Sequence, residues 1–122
     1  MDYKLELVCV PVSDVDRAKE FYVERVGFHA DHDHRVNDSL RFVQLTPPGS
    51  GCSICIGEGL TTMAPGSLEG LQLVVADAGA AHDELAARGV EVSEVDEQPW
   101  GRFVYFKDPD GNGWNVQQIV RP

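Results

Sequence analysis

The sequence predicts an α+β fold built from two βαβββ modules, and an internal repeat is the main evidence for it. Asp14 and Asp77 each precede a helical segment, and each segment ends in an Arg-Gly or Gly stop signal. Arg41-Phe42-Val43 recurs as Arg102-Phe103-Val104 in the corresponding strand of the second half. The length of 122 residues and a hydrophobic content of 43% suit one domain with a real core. Element order and turn positions therefore agree between the halves.

The first module is predicted to occupy about residues 1–57. It begins with an almost continuously apolar strand over 4–12, which we expect to be buried on both faces. Ser13 is the predicted N-cap of a helix that ends at Gly27. Three further strands are predicted, over 28–34, 40–46 and 52–56.

The second module is predicted over about 68–122, after a linker of about 58–67 that is rich in Gly, Thr and Pro. It contains a strand over 70–76, a helix from Asp77 to about Arg88, a strand over 90–95 and a final hairpin. The hairpin is the strongest local signal. Its turn, DPDGNG, concentrates residues that preset φ, permit positive φ or bond their own backbone.

Composition and charge exclude several classes of function. The formal net charge of −10 argues against nucleic acid or an anionic membrane as the partner, because both require a basic surface. No apolar run reaches transmembrane length, and MDYKLELVCV lacks the apolar core of a signal peptide. Three cysteines, an odd number, are typical of reduced thiols. We therefore expect a cytoplasmic protein.

Two segments, VPVSDVDRAKEFYVERVGF and FKDPDGNGWNVQ, resemble the vicinal oxygen chelate superfamily. This superfamily includes glyoxalase I, extradiol dioxygenases, and the bleomycin- and fosfomycin-resistance proteins. The resemblance covers essentially the whole chain. It implies a cupped mixed sheet around a small-molecule cavity, and a homodimer. It leaves the reaction open, because one fold supports many functions.

Enzymes of this superfamily usually bind a divalent metal in the cup through His, Glu or Gln. The resemblance places three of the ligand positions at Leu7, Leu71 and Asn115, and the fourth within Ser53 to Cys55. These residue types predict that the usual metal site is absent, and we expect neither a metal nor another cofactor.

The alternative is an enzyme: either a metal-dependent lyase, isomerase or dioxygenase with a displaced ligand set of Glu6, Gln72 and Gln117, or a metal-free catalyst that uses polar groups of the cavity. A displaced set requires coordinated register slips, because a slip of one residue turns a side chain to the opposite face. A third possibility is an interaction module whose cup is filled by its own side chains.

Without a metal, the sequence favours a protein that binds a small organic molecule, and the resemblance to the resistance-type members implies sequestration of an aromatic or polycyclic compound. The candidate ligand-binding side chains are aromatic rings and carboxamides, which stack on and hydrogen-bond to such a ligand. They are Phe42, Gln44, Trp100, Phe103, Tyr105, Asn115 and Gln117.

Two weaker motifs have structural interpretations. Cys52 and Cys55 form a CxxC pair, but residues three apart on a strand point to opposite faces, so two core thiols are favoured over a redox or zinc site. His32 and His34 would share one face of an exposed strand and could bind adventitious metal weakly. A solvated polar strand is the better interpretation.

Overall fold

The computed structural model describes residues 1–120 and contains two four-stranded sheets, one in each module. Both sheets have the same topology: the first strand of the module lies parallel to the last, and the other pairs are antiparallel. The first sheet has the order β1-β4-β3-β2, with β1 Leu7–Cys9, β2 His29–Asn37, β3 Leu40–Thr46 and β4 Ser53–Glu58. The second has the order β5-β8-β7-β6, with β5 Leu71–Val74, β6 Asp96–Gln98, β7 Gly101–Lys107 and β8 Gly113–Ile119. The predicted fold class is confirmed, and both sheets are open.

The helix of the first module changes its winding partway along. Helix α1, Val15–Glu20, continues as a π-helical segment, Phe21–Val26, which ends at Gly27 with φ 97°. The N-cap is Asp14 and not the predicted Ser13, because the Asp14 carboxylate accepts the Arg17 N–H at 3.0 Å. Ser13 bonds Asp110 of the second module instead.

Helix α2, Ala78–Ala87, follows the prediction closely. Its N-cap is Asp77, whose carboxylate accepts the Ala80 N–H at 3.0 Å, and the chain reverses after it at Gly89, where φ is 85°. Within residues 1–120, neither helix has the length and apolar character needed to cross a bilayer. The predicted second module extends to 122, and its last two positions lie outside the described residues.

The first strand is shorter and less buried than the sequence predicted. Of residues 4–12, only Leu7–Cys9 form a strand, and these three side chains are half-buried. The reason is its position: β1 lies at the edge of the first sheet and pairs with β4 alone among the described strands. A run of apolar residues therefore did not indicate a central strand here.

The strand predicted over 90–95 is also wrong, because β6 begins at Asp96, six residues after the predicted start. Ser93 explains the difference. Its N–H donates to the Tyr105 carbonyl at 3.0 Å, but the Tyr105 N–H donates to the Ser93 hydroxyl at 2.9 Å. A side-chain oxygen thus replaces the backbone carbonyl that a regular ladder would use, which interrupts the pairing.

One hydrophobic core joins the two modules. Val43 and Leu45 of the first sheet and Val104 and Val116 of the second belong to the same buried cluster. Tyr22, on the π-helical segment, lies within this cluster and is fully buried. Its ring contacts Phe28 of the first module at 5.5 Å and Trp114 of the second at 5.7 Å, measured between centroids.

A buried polar network crosses the same boundary. The Asp108 carboxylate accepts the backbone N–H groups of Asp110, Gly111 and Asn112 through one oxygen and the Tyr22 hydroxyl, at 2.8 Å, through the other. The Trp114 indole N–H donates to the Tyr22 oxygen at 2.9 Å. Burial, followed by the charge of Asp108, raises the pKa of Tyr22 far above its usual value. The DPDGNG turn is therefore anchored to the helix of the other module.

Candidate functional site

One face of each sheet packs into the shared core. The other face of each sheet carries polar side chains. Side chains alternate along a strand, so the neighbours of the core residues on β3, β7 and β8 point away from the core. We call these surfaces the first and second outer faces. The first outer face carries Leu7, Cys9, His32, His34, Phe42, Gln44, Ser53 and Cys55, and the second carries Gln72, Asp96, Phe103, Tyr105, Asn115 and Gln117.

The candidate ligand-binding residues divide between these two faces. Phe42 and Gln44 lie on the first outer face, whereas the remaining five lie on the second outer face or, for Trp100, in the turn before β7. The two outer faces are on opposite sides of the core that the modules share. One chain therefore does not bring the two groups together. The binding role of each residue stays a prediction.

The aromatic side chains of the second outer face form an ordered pair. The Phe103 and Tyr105 rings are almost parallel, at 8°, with centroids 6.0 Å apart. The Tyr105 hydroxyl donates to Asp96 at 2.7 Å, and the Gln98 amide donates to both Asp96 oxygens at 3.1 Å. The hydrogen bond from Tyr105 is the main cause that lowers the pKa of Asp96, and the same bond raises the pKa of Tyr105. The hydrogen bond from its hydroxyl to Asp96 therefore fixes the position of the Tyr105 ring.

Asp96 and Gln98 were missed by the sequence analysis. The strand was predicted over 90–95, immediately before Asp96, whereas β6 comprises Asp96–Gln98. The signal that could have found them is their spacing, since two polar residues two apart share a face of a strand. Asp96 pairs with Phe103 in the antiparallel ladder, which places its carboxylate beside the aromatic pair.

Carboxamides form the second part of this face. Gln72 donates to the Gln117 oxygen at 2.5 Å, and the Gln117 amide donates to the Trp100 carbonyl at 3.2 Å. Gln117 is buried, so its orientation is set by these two bonds. Asn115 lies between Gln72 and Tyr105, its partners on the two neighbouring strands. The face thus presents an amide next to an aromatic ring.

A cavity of about 500 Å³ opens at the turn end of the second outer face. Tyr105 and Asn115 both line it, together with the charged residues Glu69, Glu91, Lys107 and Asp108. Its volume lies within the range of about 300–1,000 Å³ that small-molecule pockets occupy. Two of the candidate residues therefore border a space of suitable size.

The positions assigned to a metal are not arranged as the sequence suggested. Leu7 does lie on the first outer face, opposite Ser53. Leu71 pairs with Trp114 on the core side, and Gln72, opposite Asn115, takes the outer position. The placement of Leu71 was wrong by one residue. Within residues 1–120, no three His, Cys, Asp or Glu side chains are grouped so that they could hold a metal ion.

Cys9, Cys55 and the histidine pair lie in the first sheet, and Cys52 immediately precedes β4. Cys55 pairs with Cys9 across β1 and β4, and burial, followed by the neighbouring Cys9, raises the pKa of Cys55 to about 12. Such a thiol is a poor nucleophile near neutral pH. His32 and His34 are exposed and share a face, with ring centroids 5.8 Å apart.

Comparison with known proteins agrees with this architecture over almost the full length. The family model described as Glyoxalase/Bleomycin resistance protein/Dioxygenase superfamily matches residues 4–116. TnmS3, an antibiotic binding protein from Streptomyces sp. CB03234, is 40% identical, with a TM-score of 0.89 and 98% of each chain covered. A glyoxalase/bleomycin resistance protein from the same organism is 42% identical, with a TM-score of 0.83 and coverage of 94% of this chain and 100% of that one. Uncharacterized protein YetH of Bacillus subtilis (strain 168) is 32% identical over 109 residues, which cover 86% of this chain and 89% of that protein. The chain belongs to the glyoxalase/bleomycin resistance protein/dioxygenase superfamily.

Proposed function

We propose that the protein binds and sequesters an aromatic or polycyclic small molecule on its second outer face. The observation that carries this proposal is the parallel pair of Phe103 and Tyr105, with ring planes within 8°, in which Tyr105 lines a cavity of about 500 Å³. Flat apolar ligands stack on such rings, and each aromatic contact contributes about 0.5–1.5 kcal/mol beyond its buried area.

The surrounding hydrogen bonds favour binding because they hold the surface rigid. Asp96 holds the Tyr105 hydroxyl, and Gln117 is held between Gln72 and the Trp100 carbonyl. Side chains that are already ordered lose little entropy when a ligand arrives, which otherwise costs about 0.5–1.5 kcal/mol for each flexible side chain. The Asn115 amide adds one donor group and one acceptor that can orient the ligand.

Similarity to TnmS3 supports a binding role over a catalytic one. That protein is described as an antibiotic binding protein, and the likeness extends over 98% of both chains at 40% identity. An antibiotic or a similar natural product is therefore the ligand class that we propose for this chain.

We also propose a homodimer, because a second copy would complete the site. Phe42 and Gln44 lie across the core from Tyr105, so they reach a shared ligand only if the first outer face of one copy meets the second outer face of another. Among the described strands, β1 and β5 each pair on one side only, and Val74 on β5 is 63% exposed. An unpaired apolar edge favours association. Light scattering coupled to size exclusion measures the resulting mass.

We propose that the ligand is held without a metal ion. The support is the chemistry of the outer-face positions: Leu7 has no donor atom, and Gln72 and Asn115 offer neutral amides, which are weak ligands for divalent transition metals. The competing function is a metal-dependent lyase, isomerase or dioxygenase. One observation favours it: Gln72 and Gln117, two members of the displaced set, are in contact at 2.5 Å. The third member, Glu6, is exposed and precedes β1.

The test is a thermal-shift screen against planar polycyclic antibiotics, such as tetracyclines and anthracyclines, followed by calorimetry on the hits. A ligand that binds only the folded state raises its stability by RT ln(1 + [L]/Kd), and a chelator should leave that shift unchanged. Tyr105→Ala should weaken binding about tenfold, and Tyr3→Ala, at a site that is 89% exposed, should not.

Two results would contradict the proposal. Equal affinities for Tyr105→Ala and Tyr3→Ala would exclude the aromatic pair as the binding surface. One equivalent of Fe, Mn, Ni or Zn in untagged dialysed protein, measured by elemental mass spectrometry, would favour the metal-dependent enzyme.

A further inference from the structure

A second cavity, of about 370 Å³, lies on the core side of the chain, where the two modules meet. Its walls are the end of the π-helical segment, the turn at Pro47 and Pro48, strand β5 and helix α2. Its floor is Phe106 and Val116, which are both buried. The cavity is built from elements of both modules.

Most of the residues that line this cavity are apolar. Strand β5 contributes Leu73 to the lining, and Val75 follows that strand. Helix α2 contributes Ala81 and Leu85. Two charged residues, Glu84 and Arg88, also line the cavity. A mostly apolar space with a few polar groups at one end is the usual composition of a small-molecule site.

Arg88 lies close to the end of the π-helical segment. A Cβ atom on Gly27 would lie 2.5 Å from the Arg88 Nη1 atom, so the guanidinium occupies the space that the missing side chain leaves. Gly27 also has a φ of 97°, which makes a side chain unfavourable there. The other terminal nitrogen of Arg88 contacts Glu84 at 3.2 Å. A guanidinium has five N–H donors, and this contact uses one of them.

We propose that this cavity is a second binding site, which takes a small apolar carboxylate. The hydrocarbon body would lie against Leu73, Leu85 and Phe106, and the carboxylate would bind Arg88 in place of Glu84. A guanidinium donates two parallel hydrogen bonds to the two oxygens of a carboxylate, and an alcohol or an amide does not offer two such oxygens. The volume suits an acid with one or two rings. The inference does not depend on the function proposed for the second outer face.

The experiment is calorimetric titration of the full chain with 1-naphthoate and with its neutral counterpart, 1-naphthalenemethanol. We expect saturable binding of the acid and at least tenfold weaker binding of the alcohol, because the charged contact is lost. Arg88→Gln should weaken 1-naphthoate about tenfold, and Glu84→Gln should leave it equal or tighter. The matched control is Arg35→Gln, since Arg35 pairs with Glu58 at 2.9 Å on an exposed surface. It should bind like wild type.

A variant that fills the cavity locates the site. Ala81→Phe should abolish binding of 1-naphthoate but leave the Tyr105-dependent binding of polycyclic ligands unchanged. If this variant does not fold, methyl NMR of the wild type replaces it, with shifts expected at Leu73, Val75 and Leu85. The proposal is overturned if the acid does not saturate at millimolar concentration, if Arg88→Gln binds it like Arg35→Gln, or if the methyl shifts fall elsewhere. Conversion of a dimer to monomers by Ala81→Phe would also overturn it, because the cavity would then accommodate a second copy.

Discussion

Replacing Tyr22 with Phe removes a single oxygen from the network that joins the two modules. That oxygen donates to Asp108 at 2.8 Å and accepts the Trp114 indole N–H at 2.9 Å. All three side chains are buried, at 0%, 5% and 3% exposure. Water cannot easily replace the lost partner, so the Trp114 N–H is left unsatisfied and Asp108 loses one of its hydrogen bonds.

The magnitude follows from the two bonds. A hydrogen bond to a charged group contributes about 1.5–3 kcal/mol, and a buried donor without a partner costs about 1–3 kcal/mol. Asp108 keeps a bond from the Asn112 side chain to the same oxygen, at 2.8 Å, so the lower ends of both ranges apply. We expect Tyr22→Phe to lower the free energy of unfolding by about 2.5 kcal/mol, out of a usual total of about 5–15 kcal/mol. The expected fall in Tm is about 10 °C.

Urea titration followed by tryptophan fluorescence and far-UV circular dichroism measures this loss. The midpoint should fall while the slope m stays constant, since the folded state buries the same surface. Tyr3→Phe is the matched control, because Tyr3 is 89% exposed, and it should change stability by less than about 0.5 kcal/mol. A double-mutant cycle with Trp114→Phe should give a coupling energy of at least about 0.5 kcal/mol. A loss below about 1 kcal/mol for Tyr22→Phe would refute the network as a source of stability.

Three further predictions concern the turn, the second outer face and the buried thiol. Gly111→Ala should cost about 1–2 kcal/mol in urea unfolding, because φ there is 101°, whereas Gly51→Ala, where φ is not positive, should be neutral. Equal losses in the two variants would contradict the turn assignment. Asn115→Leu should weaken binding of any polycyclic ligand about tenfold in calorimetry at little cost in Tm, and unchanged affinity would remove Asn115 from the site. The Cys55 pKa is raised from 9.0 to about 12, so its contribution to stability is complete below pH 9 and is lost as the pH rises toward 12. The difference in unfolding free energy between wild type and Cys55→Ser should therefore shrink over that pH range, and a constant difference would show that the thiol is not perturbed.

Local chemistry made several elements predictable. The DPDGNG turn, the Asp77 cap and the stop at Gly27 depend on residues next to one another in the chain, so the sequence determines them directly. The repeat also predicted the fold class, because both halves carry the same order of strands and turns. Short-range signals failed where a competing side chain acted, as at Ser93, whose hydroxyl accepts the Tyr105 N–H.

The register of edge strands was less predictable. Leu71 and Gln72 are neighbours in sequence, and only their pairing with Trp114 and Asn115 shows which one faces outward. Both residues fit a strand, so propensity does not distinguish them, and a shift of one residue reverses the face. The same limit applied to the length of β1, since an apolar run at an edge resembles one in the middle of a sheet.

By itself, the sequence determined the paired βαβββ plan, the DPDGNG turn and the Asp77 cap. Tertiary structure decided how those parts are used. It divided the candidate residues between two faces on opposite sides of one core, and it placed Asp96 against Tyr105. It also gave the Tyr22 hydroxyl a partner 86 residues away. The physical reason is range: caps and turns are satisfied by adjacent backbone, whereas faces, cavities and buried networks depend on contacts between distant segments.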